Sequence, residues 1–191
     1  MTTGSNQQAR PVQYIVFIAD VQAVQVAKLR TAITEAANNK NDIYLMISSG
    51  GGNVAEGLGL AAFMRALPVE ITTHNVSQID SIAGVIFAAG TKRYSNASAT
   101  FMFHGVSMHY EKQDMSESQL KEQYSQIVRL RESIATAITN YTGVSIADIH
   151  ALMASGASIL SAQDALSKTI VHEVREAKIP LRSQVISIGN G

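Results

Sequence analysis

Three groups of residues in this 191-residue chain have the types and positions that acyl-transfer chemistry needs. Gly50–Gly52 follow an apolar run and precede a helical pattern, so their backbone amides can approach an oxyanion closely. Ser81 opens an apolar helical segment, and His104 ends the apolar run Thr100–Phe103. A serine nucleophile, a histidine base and an amide-lined oxyanion site would together cleave or transfer an acyl group.

Each of these groups, taken alone, also has a purely structural interpretation. A glycine run is most often a tight turn, and a serine at a helix start is most often an N-cap. The glycines lack the G-x-G-x-x-G string of dinucleotide sites and the Gly-Lys-Ser/Thr string of a P-loop. The remaining histidines show no metal-ligand spacing and are interpreted as structural or exposed: His74, His109, His150 and His172. We therefore expect no cofactor and no metal.

The elements that position these groups alternate between strand and helix. Apolar runs predict strands at Gln13–Ala19, Asp42–Ser48 and Val69–Asn75. Between and after them, apolar residues at three- and four-residue spacing predict helices at Val21–Asn38, Ala55–Leu67 and Ser81–Ala89. Strands this apolar need cover on both faces, which a parallel or mostly parallel sheet with crossover helices supplies. Because the glycine turn, the serine and the histidine each follow a strand, one α/β layer can bring them together.

The second half of the chain is dominated by a long helical pattern over Glu117–Thr142, which Ser116 and Gln119 open as a capping box. This helix is longer than one small core requires, which is typical of a helix that projects to meet a partner. The other predicted elements are strands at Arg93–Ser95 and Thr100–His104, a helix from Ser145 to Met153, a helix at Ala162–Lys168, and strands at Ile170–Val174 and Gln184–Ile188.

Composition excludes several classes of protein. The chain is 46% hydrophobic and 16% charged, with 15 basic and 15 acidic residues, which excludes an extended disordered chain and gives no field to attract nucleic acid. It has no cysteine, so disulfides and zinc–thiolate sites are excluded and a reducing cytoplasm is expected. Residues 1–191 are interpreted as one domain, with a polar, disordered leader at 1–12 and a C-terminal extension at 175–191. No signal peptide or membrane-spanning segment is predicted, and no membrane partner.

Three strings in order carry a family resemblance. They are Ile47–Gly57 (ISSGGGNVAEG), Asp80–Gly90 (DSIAGVIFAAG) and Ser98–His104 (SATFMFH), and they are similar to the proteolytic subunit of the bacterial Clp protease. The spacing from the glycine turn to the serine matches that family without a gap, and Leu160–Ala165 is similar to one of its late helix segments. The resemblance covers about Gln13 to Val174.

The resemblance implies an α/β, crotonase-like (ClpP-like) β-α-β superhelical core with a protruding handle helix. It implies a homo-oligomeric ring built through that helix, and a serine endopeptidase site that hydrolyses peptides or unfolded proteins inside the ring. Carried over residue by residue, it makes Ser81 the nucleophile and His104 the general base, with the backbone amides of Gly52 and Ile82 as the oxyanion hole.

The chain departs from the family in four places. Gly50 replaces a proline in the glycine turn, and Ile79-Asp80 replaces Ala-Ala before the nucleophile. Counting back from Leu160 places Ala157 where the family has its catalytic aspartate. The segment before the first strand is shorter than the axial loops that engage an ATPase unfoldase ring, which argues against such a partner.

The missing aspartate leaves several alternatives open. His104 could be oriented by Ser155, by Ser158, by a carbonyl of the Ala154–Ala157 loop, by water, or by a carboxylate from elsewhere in the fold or from a neighbouring subunit. A catalytically inactive or weakened ring subunit is one alternative function. A crotonase-type acyl-CoA enzyme is another, although Glu56 is the only carboxylate beside the glycine turn. A Ser-Lys dyad would need Lys92 or Lys112 near Ser81.

Overall fold

The computed structural model describes residues 10–107, 114–154 and 156–190. Its strands are β1 (Val12–Ile18), β2 (Asp42–Ser49), β3 (Ile71–Asp80), β4 (Lys92–Ser95), β5 (Thr100–His104), β6 (Ala157–Ser161), β7 (Glu173–Val174) and β8 (Val185–Gly189). Its helices are α1 (Ala23–Asn38), α2 (Val54–Ala66), α3 (Ala83–Ala88), α4 (Glu117–Thr142), α5 (Ile146–Ala154) and α6 (Ala162–Ser167). Among the described residues, no helix combines the length and apolar character needed to cross a membrane.

The strands form one mixed sheet in the order β6-β5-β3-β2-β1-β8, and β4 lies beside β3 and bridges to β7. All of these pairings are parallel except that of β5 with β6, which is antiparallel. The mostly parallel α/β sheet predicted from the apolar runs is thus confirmed. The parallel arrangement places the carboxyl ends of β2, β3 and β5, and therefore the residues that follow them, at one edge.

Strand β3 is ten residues long and has two different neighbours on one side. Thr72–Asn75 pair with β4, whereas Gln78–Asp80 pair with β5. The predicted strand ended at Asn75, because Ser77 and Gln78 are polar and exposed and so break the apolar pattern. The extra residues extend β3 up to Ser81, which thereby follows directly on a strand.

The carboxyl half of β3 and all of β5 alternate between a core face and an outer face. Ile79, Phe101 and Phe103 are at most 5% exposed and face α3, where the rings of Phe87 and Phe101 meet edge to face at 5.1 Å. Their neighbours Asp80, Met102 and His104 are half-buried and, since successive side chains alternate, share the opposite face.

Helix α4 has the predicted bounds and the predicted capping box between Ser116 and Gln119. Its buried residues, Ile134, Ala135 and Ile138, all lie in its second half. In the first half, Leu120 is 55% and Tyr124 68% exposed. The amino-terminal part of the helix therefore carries apolar side chains that the core of this chain does not cover.

Two sequence predictions need correction, and one strand was missed. Ser81 is not a helix N-cap, because α3 begins after Ile82 and has no side-chain cap. The predicted strand Ile170–Val174 is reduced to Glu173–Val174, since the amides of Ile170 and Val171 donate to the Ala165 carbonyl in α6 and not to a neighbouring strand. The antiparallel strand β6 was not predicted.

The predictions for the two chain ends compare differently with the structure. Residues 1–9 of the predicted leader lie outside the described residues, and Val12 already opens β1. The predicted strand in the C-terminal extension forms as β8 along β1. Asn190 then exchanges hydrogen bonds with Asp20, which ties this extension to the sheet.

Candidate active site

The glycine turn after β2 has a backbone that only glycine adopts easily. Gly51 has φ +90° and Gly52 has φ +144°. Val21 closes the turn, because its N–H donates to Gly51 O and its carbonyl accepts from Asn53 N, both at 2.7 Å. A Cβ on Gly52 would lie 2.5 Å from the Val21 carbonyl oxygen, so a larger residue there requires the backbone to move. Gly50, by contrast, has φ outside the positive region and room for a side chain.

Ser81 is held in a strained turn directly against this glycine turn. Its φ is +55°, a left-handed conformation that costs a non-glycine residue about 1–2 kcal/mol. The amide of Ser81 donates to Met102 O at 2.8 Å, which fixes the serine to the middle of β5. A Cβ on Gly51 would lie 2.8 Å from Ser81 Cβ and 3.4 Å from its Oγ. The absence of a side chain at Gly51 therefore allows the serine to sit on the turn.

His104, the last residue of β5, has one ring nitrogen bonded and one unbonded. Its Nδ1 donates to the carbonyl oxygen of Gly105 at 2.6 Å. A carbonyl only accepts, so a neutral ring carries its proton on Nδ1 and keeps the lone pair on Nε2. Nε2 has no hydrogen-bond partner among the described residues. The imidazole is thus held in the tautomer that a general base requires.

Gly52, Ser81 and His104 line one cavity of about 90 Å³. The structure therefore brings the nucleophile candidate, the base candidate and the glycine turn together. The rest of the wall comes from α2, β5 and the segment after it, α4 and α5, and combines apolar side chains with a serine and a glycine: Val54, Phe103, Gly105, Val106, Ser107, Ile134 and Met153.

The two amides that the resemblance assigns to the oxyanion hole are both unbonded. Neither Gly52 N nor Ile82 N donates a hydrogen bond to any of the described residues. Ile82 is fully buried, and a Cβ on Gly57 of α2 would lie 2.4 Å from its Cγ1, so α2 packs tightly on this residue. Unpaired backbone donors beside a strained serine are suited to a developing negative charge.

Ala157, the residue that counting places at the family's aspartate, lies opposite His104. It is the Cα partner of His104 across the β5–β6 ladder, so its methyl group shares the face of the imidazole. Ser158 pairs with Phe103 and so belongs to the opposite face, and Ser155 lies outside the described residues. The group that bonds His104 Nδ1 is the Gly105 carbonyl. This carbonyl was not among the orienting groups considered from the sequence.

The structure places one further titratable side chain, Asp80, beside this site, which the sequence analysis did not single out as a candidate. Asp80 pairs with Met102 on the other side of β5 and shares the outer face with His104. Burial raises the pKa of Asp80, while the positive charge of protonated His104 lowers it. The signal was present in the sequence, because a carboxylate replaces the family's alanine immediately before the serine.

The alternative catalytic groups lie elsewhere. Lys92 binds Glu70 at 2.8 Å beside the opposite end of β3, and Lys112 lies outside the described residues. Glu56, the carboxylate that a crotonase-type enzyme would use, does not line the cavity. Within the described ranges, no group of three or more His, Cys, Asp or Glu side chains could hold a metal ion.

Three of the other four histidines lie in the described residues and have local partners. His74 bonds Tyr44 and Asn96, and the other two contact Arg93 (His172) and Glu132 (His150). His109 lies outside the described residues.

Comparisons with known proteins agree with this architecture. A solved structure of a ClpP1 mutant from Listeria monocytogenes matches with a TM-score of 0.76 at 20% identity, covering 87% of this chain and 92% of that one. This likeness confirms the ClpP-like fold. The ATP-dependent Clp protease proteolytic subunit 1 of Leifsonia xyli is 25% identical over 164 residues, which are 85% of this chain and 81% of the relative. The family model for Clp protease matches residues 7–178, and the chain therefore belongs to the Clp protease family.

Proposed function

We propose that this protein is a serine endopeptidase in which Ser81 is the nucleophile and His104 the general base. The observation that carries this proposal is that Gly52, Ser81 and His104 line one cavity. The strained φ of Ser81 supports it, since backbone strain in a turn after a strand exposes a nucleophile in other hydrolases.

The arrangement supports a two-step acyl transfer. Ser81 Oγ attacks the peptide carbonyl carbon as its proton passes to His104 Nε2, and the π electrons of the carbonyl move to its oxygen. The amides of Gly52 and Ile82 stabilise that oxyanion. The amine then leaves with the proton from Nε2, and water repeats the sequence on the acyl-serine to regenerate Ser81.

The cavity wall supports a substrate class. Val54, Val106 and Met153 provide apolar surface beside the serine. An apolar side chain next to the scissile carbonyl would be removed from water there, which favours binding in proportion to the area buried. We propose peptides and unfolded proteins as substrates, cleaved after apolar residues.

An active-site-directed probe tests the assignment. A fluorophosphonate should label wild-type protein at Ser81, while Ser81→Ala and His104→Ala should remain unlabelled. Equal labelling of all three would refute it.

A ring subunit without turnover is the second candidate, and the methyl group of Ala157 opposite His104 favours it. Labelling without hydrolysis of any peptide would support that candidate instead.

The exposed half of α4 supports assembly into a homo-oligomeric ring. Leu120 and Tyr124 form an apolar stripe that no part of the chain described by the structure buries. Ile127→Glu should weaken association in sedimentation velocity, whereas Ser125→Glu, on an exposed position of the same helix, should not. A wild type that sediments only as a 20.5 kDa species would contradict this assembly.

The cysteine-free sequence fits the reducing cytoplasm, where we propose that the protein acts.

A further inference from the structure

His104 has a neighbouring strand on each side, and only one of them brings a carboxylate. On β6 its Cα partner is Ala157. On β3, Asp80 is the Cα partner of Met102, two residues before His104. Because side chains two residues apart on a strand share a face, Asp80 and His104 are diagonal neighbours on the outer face of the sheet.

The core face of the same strands, behind Asp80, is lined by apolar side chains. Ile79, Phe101 and Phe103 occupy that face and are at most 5% exposed. Asp80 itself is half-buried. Burial raises the pKa of Asp80. The positive charge of protonated His104 is the side-chain charge that lowers this pKa. A partly desolvated carboxylate and the imidazole thus interact through a medium that screens them less than water does.

The carbonyl of Gly105 and the carboxylate of Asp80 provide different things to His104. Gly105 O accepts from Nδ1 at 2.6 Å and so fixes the tautomer. A neutral carbonyl carries no net charge, however, and gives limited stabilisation to an imidazolium. A carboxylate on the same face supplies the missing charge.

We propose that Asp80 is the positioning carboxylate of this site: it stabilises the His104 imidazolium that forms when Ser81 gives up its proton, in place of the aspartate that Ala157 replaces. Asp80 acts through His104 and does not touch the substrate. In this chain the task of the third triad member is then divided, with orientation from Gly105 and charge from Asp80. This inference rests on the proposed peptidase function.

The test combines Asp80→Asn, which keeps the shape and removes the charge, with Ala157→Asp, which adds a carboxylate on the other flank of His104. Asp80→Asn should lower kcat for a small fluorogenic peptide, and the rate of fluorophosphonate labelling, by about 10-fold to 100-fold with KM unchanged. Adding Ala157→Asp to Asp80→Asn should restore at least half of that loss on a logarithmic scale, and Asp80→Glu should retain more activity than Asp80→Asn. Glu35→Gln, which removes an exposed charge from α1, is the matched control and should behave as wild type.

The outcomes separate this inference from the proposed function. Active wild type with unchanged rates in Asp80→Asn would overturn the role of Asp80 and leave the peptidase intact. A loss in Asp80→Asn that Ala157→Asp does not restore, or that comes with a raised KM or a lowered melting temperature, would make Asp80 a structural residue and also overturn it. Wild type that neither hydrolyses peptide nor labels at Ser81 would overturn both. Ser81→Ala in each background is the blank.

Discussion

In the amino-terminal half of β3, His74 has no exposed surface and both of its ring nitrogens are bonded. Its Nδ1 accepts from Tyr44 Oη at 2.6 Å, and its Nε2 donates to Asn96 Oδ1 at 2.9 Å. Beside the carboxyl end of the same strand, His104 is half-buried and, among the described residues, only its Nδ1 is bonded. The difference separates a histidine that stabilises the fold from one whose Nε2 lone pair is available for the proposed base role.

The backbone and the neighbouring side chains show the same contrast. Next to His74, Thr73 Oγ1 donates to Phe87 O at 2.7 Å and Asn75 Nδ2 donates to Thr100 O at 2.8 Å. Beyond Asp80, Ser81 has a positive φ and the Ile82 amide has no partner within the described ranges. The amino-terminal half of β3, whose polar groups are hydrogen-bonded, and the apolar core hold the strand in register. This rigidity allows the strain at Ser81 and the unpaired Ile82 amide to persist beyond its carboxyl end.

Replacing each of the two histidines by alanine should separate the two regions most strongly. His104→Ala should lower kcat/KM by about 10³-fold or more, because it removes the proposed base, with little change in the free energy of unfolding, because His104 is only half-buried and bonds only the adjacent Gly105 among the described residues. His74→Ala should lower the free energy of unfolding by about 2–4 kcal/mol, because it leaves buried partners unpaired, and should leave kcat/KM of the folded protein near wild type. Peptide hydrolysis and urea denaturation measure both. A His74→Ala protein that is stable but inactive would contradict the assignment of His74 to stability and of His104 to catalysis.

Gly52→Ala should show how far the chemistry depends on the glycine turn. The new Cβ meets the Val21 carbonyl and displaces the Gly52 amide from the cavity, so we expect kcat to fall by about 10²-fold to 10³-fold. Gly59→Ala on α2 is the matched control, because nothing lies within 4 Å of its Cβ. Equal kcat in the two variants would exclude the Gly52 amide from the oxyanion hole.

The pH dependence of stability should report two histidines whose pKa is lowered in the folded chain. Burial lowers the pKa of His74 below the ordinary value of 6.5, and partial desolvation together with the positive charge of Arg93 lowers that of His172, whose side chain is otherwise exposed. Below pH 6.5 the unfolded chain therefore binds more protons than the folded one, and stability falls as the pH decreases towards the folded pKa. His74, which is fully buried, contributes a slope of at most about 1.4 kcal/mol per pH unit.

Urea denaturation between about pH 7 and pH 5, the range on either side of the ordinary histidine pKa, measures this slope. The His74→Gln variant should have a shallower slope than wild type, since one of the two histidines no longer titrates. Parallel slopes in the two proteins would show that His74 is not the group responsible.

The strain at Ser81 should be measurable as a small gain in stability. Ser81→Ala keeps the positive φ penalty, whereas Ser81→Gly relieves it, so the glycine variant should be more stable by about 1 kcal/mol. Both variants lack the hydroxyl, which makes each the control for the other. Thermal unfolding of the two at one protein concentration gives the difference, and an alanine variant at least as stable as the glycine variant would argue against strain.

Periodicity and apolar runs were enough to predict most elements near the site. Thr100–His104 and Glu117–Thr142 have the predicted bounds, because each is marked by a clear apolar period and a polar boundary. Strand β6 and the last residues of β3 escaped prediction because Ser158, Ser77 and Gln78 interrupt the apolar pattern. Their strand conformation depends on pairing with β5, which local sequence does not encode.

Residue types, order and spacing were sufficient to identify the candidate residues of the site. They single out the glycine run, the serine and the histidine, and the residue reached by counting, Ala157, is the one that pairs with His104. What surrounds His104 could be known only from the folded chain. The Gly105 carbonyl at Nδ1 and the position of Asp80 on the same face depend on the register of β3 and β6 against β5. A shift of one residue in either ladder would turn Asp80 or Ala157 to the opposite face, and that register is set by packing of the core between strands distant in sequence.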